Sequence, residues 1–118
     1  MTTQEVANQL VALCREGKID EVQQTLFAND AQSIEANDMM GPKVATGLEA
    51  IKAKSVAFQS GVEEFHTAKI SDPIVAGNSF AITWVLDATF KGRGRMTIEE
   101  VCVYQVKDDK ITLEQFFY

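Results

Sequence analysis

Glu100 interrupts an otherwise apolar row made of every second residue from Met96 to Val106. A period of two over this length is typical of a strand with one buried face, so the sequence places a carboxyl group on the inner face of a sheet. A buried carboxyl group must be paired, hydrogen-bonded or protonated. The alternative is a bulge at Glu99-Glu100 that turns the Glu100 side chain to solvent.

Two further side chains could carry a proton. Glu35 lies beside Ser33 on a short predicted strand, at the expected mouth of a pocket, where apolar walls would raise the pKa of a carboxyl group and make it a base. The alternative is a solvated glutamate at a strand end. His66 is the only histidine and could meet Glu100 or Glu35 if it faces inward. The alternative is a packed or half-exposed histidine.

Aromatic residues on the same predicted face could assist. Tyr104 offers a phenol that could donate to a carbonyl group, and Trp84 would line the pocket wall. For both, core packing with the polar tip hydrogen-bonded is the alternative. One histidine and scattered carboxylates have no metal-ligand spacing, and no phosphate loop, nucleophile elbow or dinucleotide fingerprint occurs. We therefore expect neither a metal nor an organic cofactor.

The elements that must position these residues follow from periodicity and turn signals. Apolar residues at helical spacing predict a helix that begins at a Thr2–Glu5 capping box and stops at Gly17, and a second helix from near Ile19. The remaining predictions are a strand over 31–36, a brief strand over 43–46, a helix over 47–59 opened by a Thr46–Glu49 capping box, strands over 62–70 and 74–76, and three strands within 77–118. Helices packed on one side of an antiparallel sheet define the α+β class.

Composition limits the classes of partner. The 118 residues predict one domain, spanning 1–118, and the net charge of −6 disfavours nucleic acid and anionic membrane surfaces. Cys14 and Cys102 lie on predicted apolar faces and are expected to be buried thiols. No basic segment followed by an apolar run begins the sequence, and no apolar run has the length of a membrane span, so we expect a cytoplasmic protein.

Several segments resemble the SnoaL-like branch of the nuclear transport factor 2-like superfamily, and the resemblance covers nearly the whole chain. They are Gly17-Lys-Ile-Asp-Glu-Val, Leu26-Phe-Ala-Asn-Asp-Ala31, Ser33-Ile-Glu-Ala36, Gly47-Leu-Glu-Ala-Ile51, Phe65-His66-Thr67 and the final hairpin from Glu100 to Tyr118. The resemblance implies a cystatin-like cone in which three N-terminal helices pack on a curved, mostly antiparallel sheet. The interior of such a cone is either filled by side chains or left as a ligand pocket.

The superfamily includes the ketosteroid isomerases, which combine a carboxylate base with a tyrosine and a neutral aspartic acid. The resemblance places Glu35 at the position of the base, Leu10 at that of the tyrosine and Cys102 at that of the aspartic acid. Both hydrogen-bond donors to the substrate oxygen are thus replaced. Steroid isomerisation by that mechanism is not supported.

The sequence therefore predicts a pocket protein that binds a small, uncharged and largely apolar molecule. Proton transfer next to a carbonyl group would use Glu35 or His66 as base and Glu100 or Tyr104 as donor. The expected lining of the pocket is Trp84, Cys102, Phe58 and Leu10.

The alternative function is a non-catalytic ligand-binding or dimerisation module of the same fold. Val85, Val101 and Val103 share the opposite face of the predicted sheet, and an apolar stripe there favours a homodimer.

Overall fold

The computed structural model describes all residues from 1 to 118, as three helices and seven strands. Two helices come first, followed by a short hairpin, the third helix and five more strands. In chain order the elements are α1 Thr3–Arg15, α2 Ile19–Leu26, β1 Phe27–Ile34, β2 Val44–Thr46, α3 Leu48–Ser60, β3 Val62–Ile70, β4 Ile74–Ala76, β5 Ser79–Phe90, β6 Gly94–Lys107 and β7 Lys110–Phe117.

The strands form one open sheet in the order β2-β1-β7-β6-β5-β3, with β4 paired to β5. Every pairing is antiparallel except that of β1 with β7, which is parallel. The α+β class and the packing of three helices on a mostly antiparallel sheet agree with expectation. However, only α1 and α2 precede the strands, since α3 follows the β1–β2 hairpin. The expectation that all three helices are N-terminal is therefore not confirmed.

The helix ends show where local sequence signals hold. Thr2 caps α1 through the predicted capping box with Glu5, and Gly17 follows the end of α1 with a φ of 74°. The second predicted capping box, Thr46 with Glu49, is wrong. Gly47, with a φ of 91°, occupies the N-cap position of α3, and Thr46 belongs to β2, so its hydroxyl group makes no cap hydrogen bond.

β1 also differs from its prediction. It starts at Phe27, directly after α2, rather than at residue 31, and it contains Asn29 and Asp30, two residue types that favour turns. Its register with β7 shifts between Phe27 and Gln32, and this irregularity accommodates the turn-forming residues within the strand. β1 ends at Ile34, so Glu35 is the first residue beyond it.

The core lies between the three helices and one part of the sheet, and α3 contributes Ile51 to it. Its largest fully buried side chains include Phe80, Leu10, Leu26, Ile51, Ile82 and Ile111. α1 packs on β3, β4 and β5, whereas α3 packs on β1, β2 and β3. None of the three helices is long and apolar enough to cross a membrane.

Candidate functional site

The pairing of β5 with β6 shows on which face of the sheet the Glu100 side chain lies. Glu100 on β6 lies directly opposite Trp84 on β5, and its neighbours two residues away, Ile98 and Cys102, lie opposite Leu86 and Ile82. Side chains of directly opposed residues project from the same face of a sheet. The Glu100 carboxyl group therefore stands on the inner face, and no bulge occurs between β5 and β6 to turn it outward.

The inner face has a covered part and an open part. Phe80, Ile82, Cys102 and Tyr104 are at most 3% exposed. Further along the same strands the larger apolar side chains are partly or largely exposed, and only the small Ala88 among them is buried. We call this part the open inner face; it consists of Phe65, Trp84, Leu86, Phe90, Met96, Ile98 and Glu100.

Helix α3 flanks the open inner face. Lys54 on α3 lies with its ammonium nitrogen 5.1 Å from the ring centre of Phe116 on β7. One turn further along α3, the ring of Phe58 meets that of Phe90 on β5 edge-on, with 5.9 Å between the centroids. Because β6 runs between β7 and β5 in the sheet, Glu100 lies between these two contacts.

Glu100 carries a strongly perturbed carboxyl group. Burial, together with the charges of the neighbouring carboxyl groups of Glu35 and Glu114, raises its pKa to about 7. The Cys102 thiol donates to Glu100 Oε1 over 3.6 Å and, with Lys54, opposes this rise. A carboxyl group with this pKa exchanges protons readily at neutral pH, as a general base or acid requires.

Lys54 organises the polar groups at the other end of the site. Its ammonium group donates to Glu35 Oε2 over 2.7 Å and also makes a short hydrogen bond to the hydroxyl group of Ser33. Ser33 in turn donates to Glu114 Oε1 over 2.7 Å. Tyr118 donates to the second oxygen of Glu35 over 3.0 Å. Both oxygens of Glu35 are thus engaged, which makes Glu35 a weaker candidate for the base than the sequence suggests.

The Glu114 side chain is partly buried, and burial raises the pKa of its carboxyl group, opposed by hydrogen bonds from Ser33 and Tyr104 and by the charge of Lys54. Tyr104 lies opposite Glu114 across the β6–β7 pair and stacks on Phe80 with 4.8 Å between the ring centres. Burial also raises the pKa of the Tyr104 phenol. Tyr104 thus stands on the predicted face but is covered by the core, away from the open inner face.

His66 lies apart from the carboxyl groups of Glu35, Glu100 and Glu114. The register between β3 and β5 shifts between Phe65 and Thr67, and this bulge places His66 beside Thr89 on the outer face. Its Nε2 atom lies 2.8 Å from Thr89 Oγ1 and 4.0 Å from a Glu64 oxygen. The expectation that an inward His66 meets Glu100 or Glu35 is wrong, because the alternation that would turn it inward is broken at this residue.

The four predicted lining residues divide into two groups. Leu10 and Cys102 are buried at 1% and 0% exposure, so they belong to the packed core and not to an accessible lining. Trp84 borders the open inner face, and Phe58 is 44% exposed beside it. An enclosed pocket at this place stays a prediction.

Sequence reasoning missed Lys54 and Glu114. Lys54 follows Ile51 by three residues and therefore shares the helix face that meets the sheet, which is a signal that could have been used. Glu114 is two residues before Phe116, so the period of two in β7 puts both on the inner face. No group of three or more histidine, cysteine, aspartate or glutamate side chains is arranged to hold a metal ion.

The profile of the SnoaL-like domain family matches residues 1–118. The chain belongs to the SnoaL-like family. A crystal structure from Mesorhizobium loti, of a protein proposed to be a SnoaL-like polyketide cyclase, is 38% identical over the full length of both chains, with a TM-score of 0.92. A comparison with curated proteins found no match to the chain.

More distant structures share the fold of this SnoaL-like chain. An NTF2-like protein of unknown function from Burkholderia pseudomallei is 13% identical, with a TM-score of 0.80 over 100% of this chain and 92% of that chain. A protein from Catenulispora acidiphila with a ketosteroid isomerase-like fold, in complex with trimethylamine, is 23% identical, with a TM-score of 0.75 over 99% of this chain and 87% of that chain.

Proposed function

We propose that this SnoaL-like protein binds a small, largely apolar carbonyl compound against the open inner face and transfers a proton next to its carbonyl group. The observation that carries the proposal is the position of Glu100, whose carboxyl group has a pKa of about 7 and borders exposed apolar side chains. Perturbed carboxyl groups next to an accessible apolar surface are typical of sites of proton transfer.

In the proposed step, the Glu100 carboxylate takes a proton from the carbon atom next to the carbonyl group. The electron pair of the broken C–H bond moves onto the carbonyl oxygen, which becomes an enolate. Lys54, the only cation hydrogen-bonded within the site, is suited to stabilise that negative charge. Return of the proton to another carbon atom gives isomerisation, and attack of the enolate on a second carbonyl group gives cyclisation.

The apolar ketone 2-tetralone tests this proposal, because exchange of the hydrogens beside its carbonyl group for deuterium is readily followed by NMR. The wild-type protein should accelerate exchange at neutral pH, and Glu100→Gln should reduce the acceleration by about 100-fold, as loss of a general base does. Glu99→Gln is the matched control, since it makes the same change on the exposed neighbour of Glu100. Equal rates for the two variants would exclude Glu100 as the base.

The outer face supports the second candidate, a dimerisation module. Val101 is 42% exposed there and lies opposite Phe117, which is 50% exposed, while Val85 and Val103 are partly exposed on the same face. Adjacent exposed apolar side chains on a sheet favour association. A homodimer formed through this face is compatible with ligand binding on the inner face.

Light scattering tests the dimer. The wild-type protein should have twice the 13.0 kDa mass of the chain, and Val101→Glu should halve that mass by placing a charge in the interface. Val56→Glu is the matched control, because Val56 is 62% exposed on α3, away from the outer face. A monomeric wild-type protein would remove this candidate.

A further inference from the structure

The open inner face combines an apolar surface with a carboxyl group that has no cationic partner. We infer that its ligand carries a positively charged nitrogen, held between the Glu100 carboxylate and the ring of Trp84. The inference rests on the binding surface of the proposed function but not on its proton transfer. It replaces the expectation of an uncharged ligand, because the structure gathers three carboxyl groups around one ammonium group.

The distribution of hydrogen bonds and ion pairs leaves Glu100 without a cationic partner. Lys54 is the one cation in the group, and its contacts go to Glu35, Ser33 and the ring of Phe116. The hydrogen-bond partner of Glu100 is the thiol of Cys102, a weak donor. No lysine, arginine or histidine nitrogen lies within 4.0 Å of the Glu100 oxygens. The desolvation of the ionised carboxyl group is therefore offset only by this weak hydrogen bond and by the charge of Lys54, which lies beyond ion-pair distance.

A cationic ligand would balance the charge of the Glu100 carboxylate, whereas other ligands would not. An anionic ligand would be repelled by the carboxyl groups of Glu100, Glu35 and Glu114, and a neutral one would leave the negative charge of Glu100 without a counter-charge. A ligand cation placed near Glu100 also lies near Trp84, since directly opposed residues have Cβ atoms about 5 Å apart. The face of a tryptophan ring attracts cations by about 0.5–2 kcal/mol, depending on how far the cation is desolvated. The net charge of −6 adds a long-range attraction for cations.

Binding of a cation should depend on pH. The groups that face Glu100 are the carboxyl groups of Glu35, beyond β1, and Glu114 on β7, the ammonium group of Lys54 on α3, and the thiol of Cys102 on β6. A cation interacts favourably with the ionised form of Glu100 and hence lowers its pKa on binding. The affinity for a cation should therefore rise as pH increases through about 7 and level off above pH 8.

The single tryptophan of the chain provides a site-specific signal, because Trp84 is itself part of the open inner face. Titration of its fluorescence with phenyltrimethylammonium, and separately with the neutral isostere tert-butylbenzene, compares two probes of nearly equal shape. At pH 8 the wild-type protein should bind the cation at least about tenfold more tightly than the isostere. Glu100→Gln should abolish this preference, and Glu99→Gln should retain it.

Several results would overturn the inference. They are equal affinity of the wild-type protein for both probes, no binding of the cation, or a cation preference that persists in Glu100→Gln. Should Glu100→Gln fail to fold, the wild-type protein still tests the inference, because its cation preference must weaken below pH 6. Deuterium exchange of 2-tetralone that requires Glu100, without any cation preference, would refute only this inference. A cation preference without exchange would support the inference and refute the proposed proton transfer.

Discussion

At the scale of single residues, the three neighbouring carboxyl groups of the site differ in their hydrogen-bond and ion-pair partners. Glu35 is paired with Lys54 and accepts a hydrogen bond from Tyr118, and Glu114 accepts one from Ser33. Only Glu100 combines burial with access to an apolar surface and with the absence of a cationic partner. That combination is the reason to assign the proton transfer to Glu100.

From the raised pKa of Glu100 we predict how the free energy of unfolding changes with pH. Well below pH 4.5 the carboxyl group is protonated in both the folded and the unfolded chain, so its titration does not reduce the free energy of unfolding. Between pH 4.5 and about 7 the unfolded chain releases the proton while the folded chain keeps it, so stability falls as pH rises. Glu100→Gln cannot ionise, so its free energy of unfolding relative to wild type should increase by about 2–3 kcal/mol between pH 4.5 and pH 8.

Urea unfolding of both proteins at the two pH values measures this difference. Glu99→Gln, which changes an exposed carboxyl group, should show a change close to zero. A relative stability of Glu100→Gln that does not vary with pH would mean that the Glu100 carboxyl group is not desolvated.

A second prediction concerns the contribution of Lys54 to stability. Its side chain is 27% exposed and is shared between Glu35 and Ser33, so Lys54→Met should leave the carboxyl groups of the site without their cation. We expect a loss of about 1–3 kcal/mol in the free energy of unfolding at pH 7.

Lys52→Met is the control for Lys54, since it makes the same substitution on the same helix at a partly exposed position. Chemical denaturation of the two variants should separate them clearly. Similar losses for both would mean that the contacts of Lys54 contribute little net stability.

At the scale of elements, one bulge decides which side chains belong to the site. Regular alternation back from the buried Ile70 would place His66 inward, but the register shift between Phe65 and Thr67 reverses this. A bulge is set by tertiary pairing with β5, and the sequence of β3 contains no glycine or proline that marks it. The long strands β5 and β6 pair without a shift, which is why the position of Glu100 could be predicted from its spacing and that of His66 could not.

This difference predicts opposite effects of two adjacent substitutions. His66→Ala should leave deuterium exchange of 2-tetralone within about twofold of wild type, while costing about 1 kcal/mol of stability through the lost hydrogen bond to Thr89. Phe65→Ala removes an apolar side chain from the open inner face and should weaken binding of 2-tetralone.

The measurement is the exchange rate as a function of 2-tetralone concentration, with thermal unfolding as the check on folding. A tenfold slower exchange in His66→Ala at saturating 2-tetralone would contradict the placement of His66 on the outer face. It would instead favour the acid–base pair with Glu100 that the sequence suggested.

At the scale of the whole molecule, periodicity in the sequence was sufficient to predict the class of the fold, the long strands and the apolar inner face of the sheet. It was not sufficient for the polar network, because Lys54, Ser33 and Glu114 come from three elements that are distant in the chain. Their meeting depends on the parallel pairing of β1 with β7, which local patterns do not encode. The family resemblance could be read from segments along the chain, and the inward position of Glu100 from its spacing. That Glu100 has no cationic partner is seen only in the assembled sheet.

The most direct test of the account is the protonation of Glu100 itself. Carbon-13 NMR of the glutamate side-chain carboxyl groups, with Glu100→Gln to assign the signal, gives the pKa of this group in the wild-type protein. We expect a midpoint near pH 7, and addition of phenyltrimethylammonium should lower it. A midpoint near 4.5, the ordinary value for a glutamate, would contradict the central claim that Glu100 is a desolvated proton carrier.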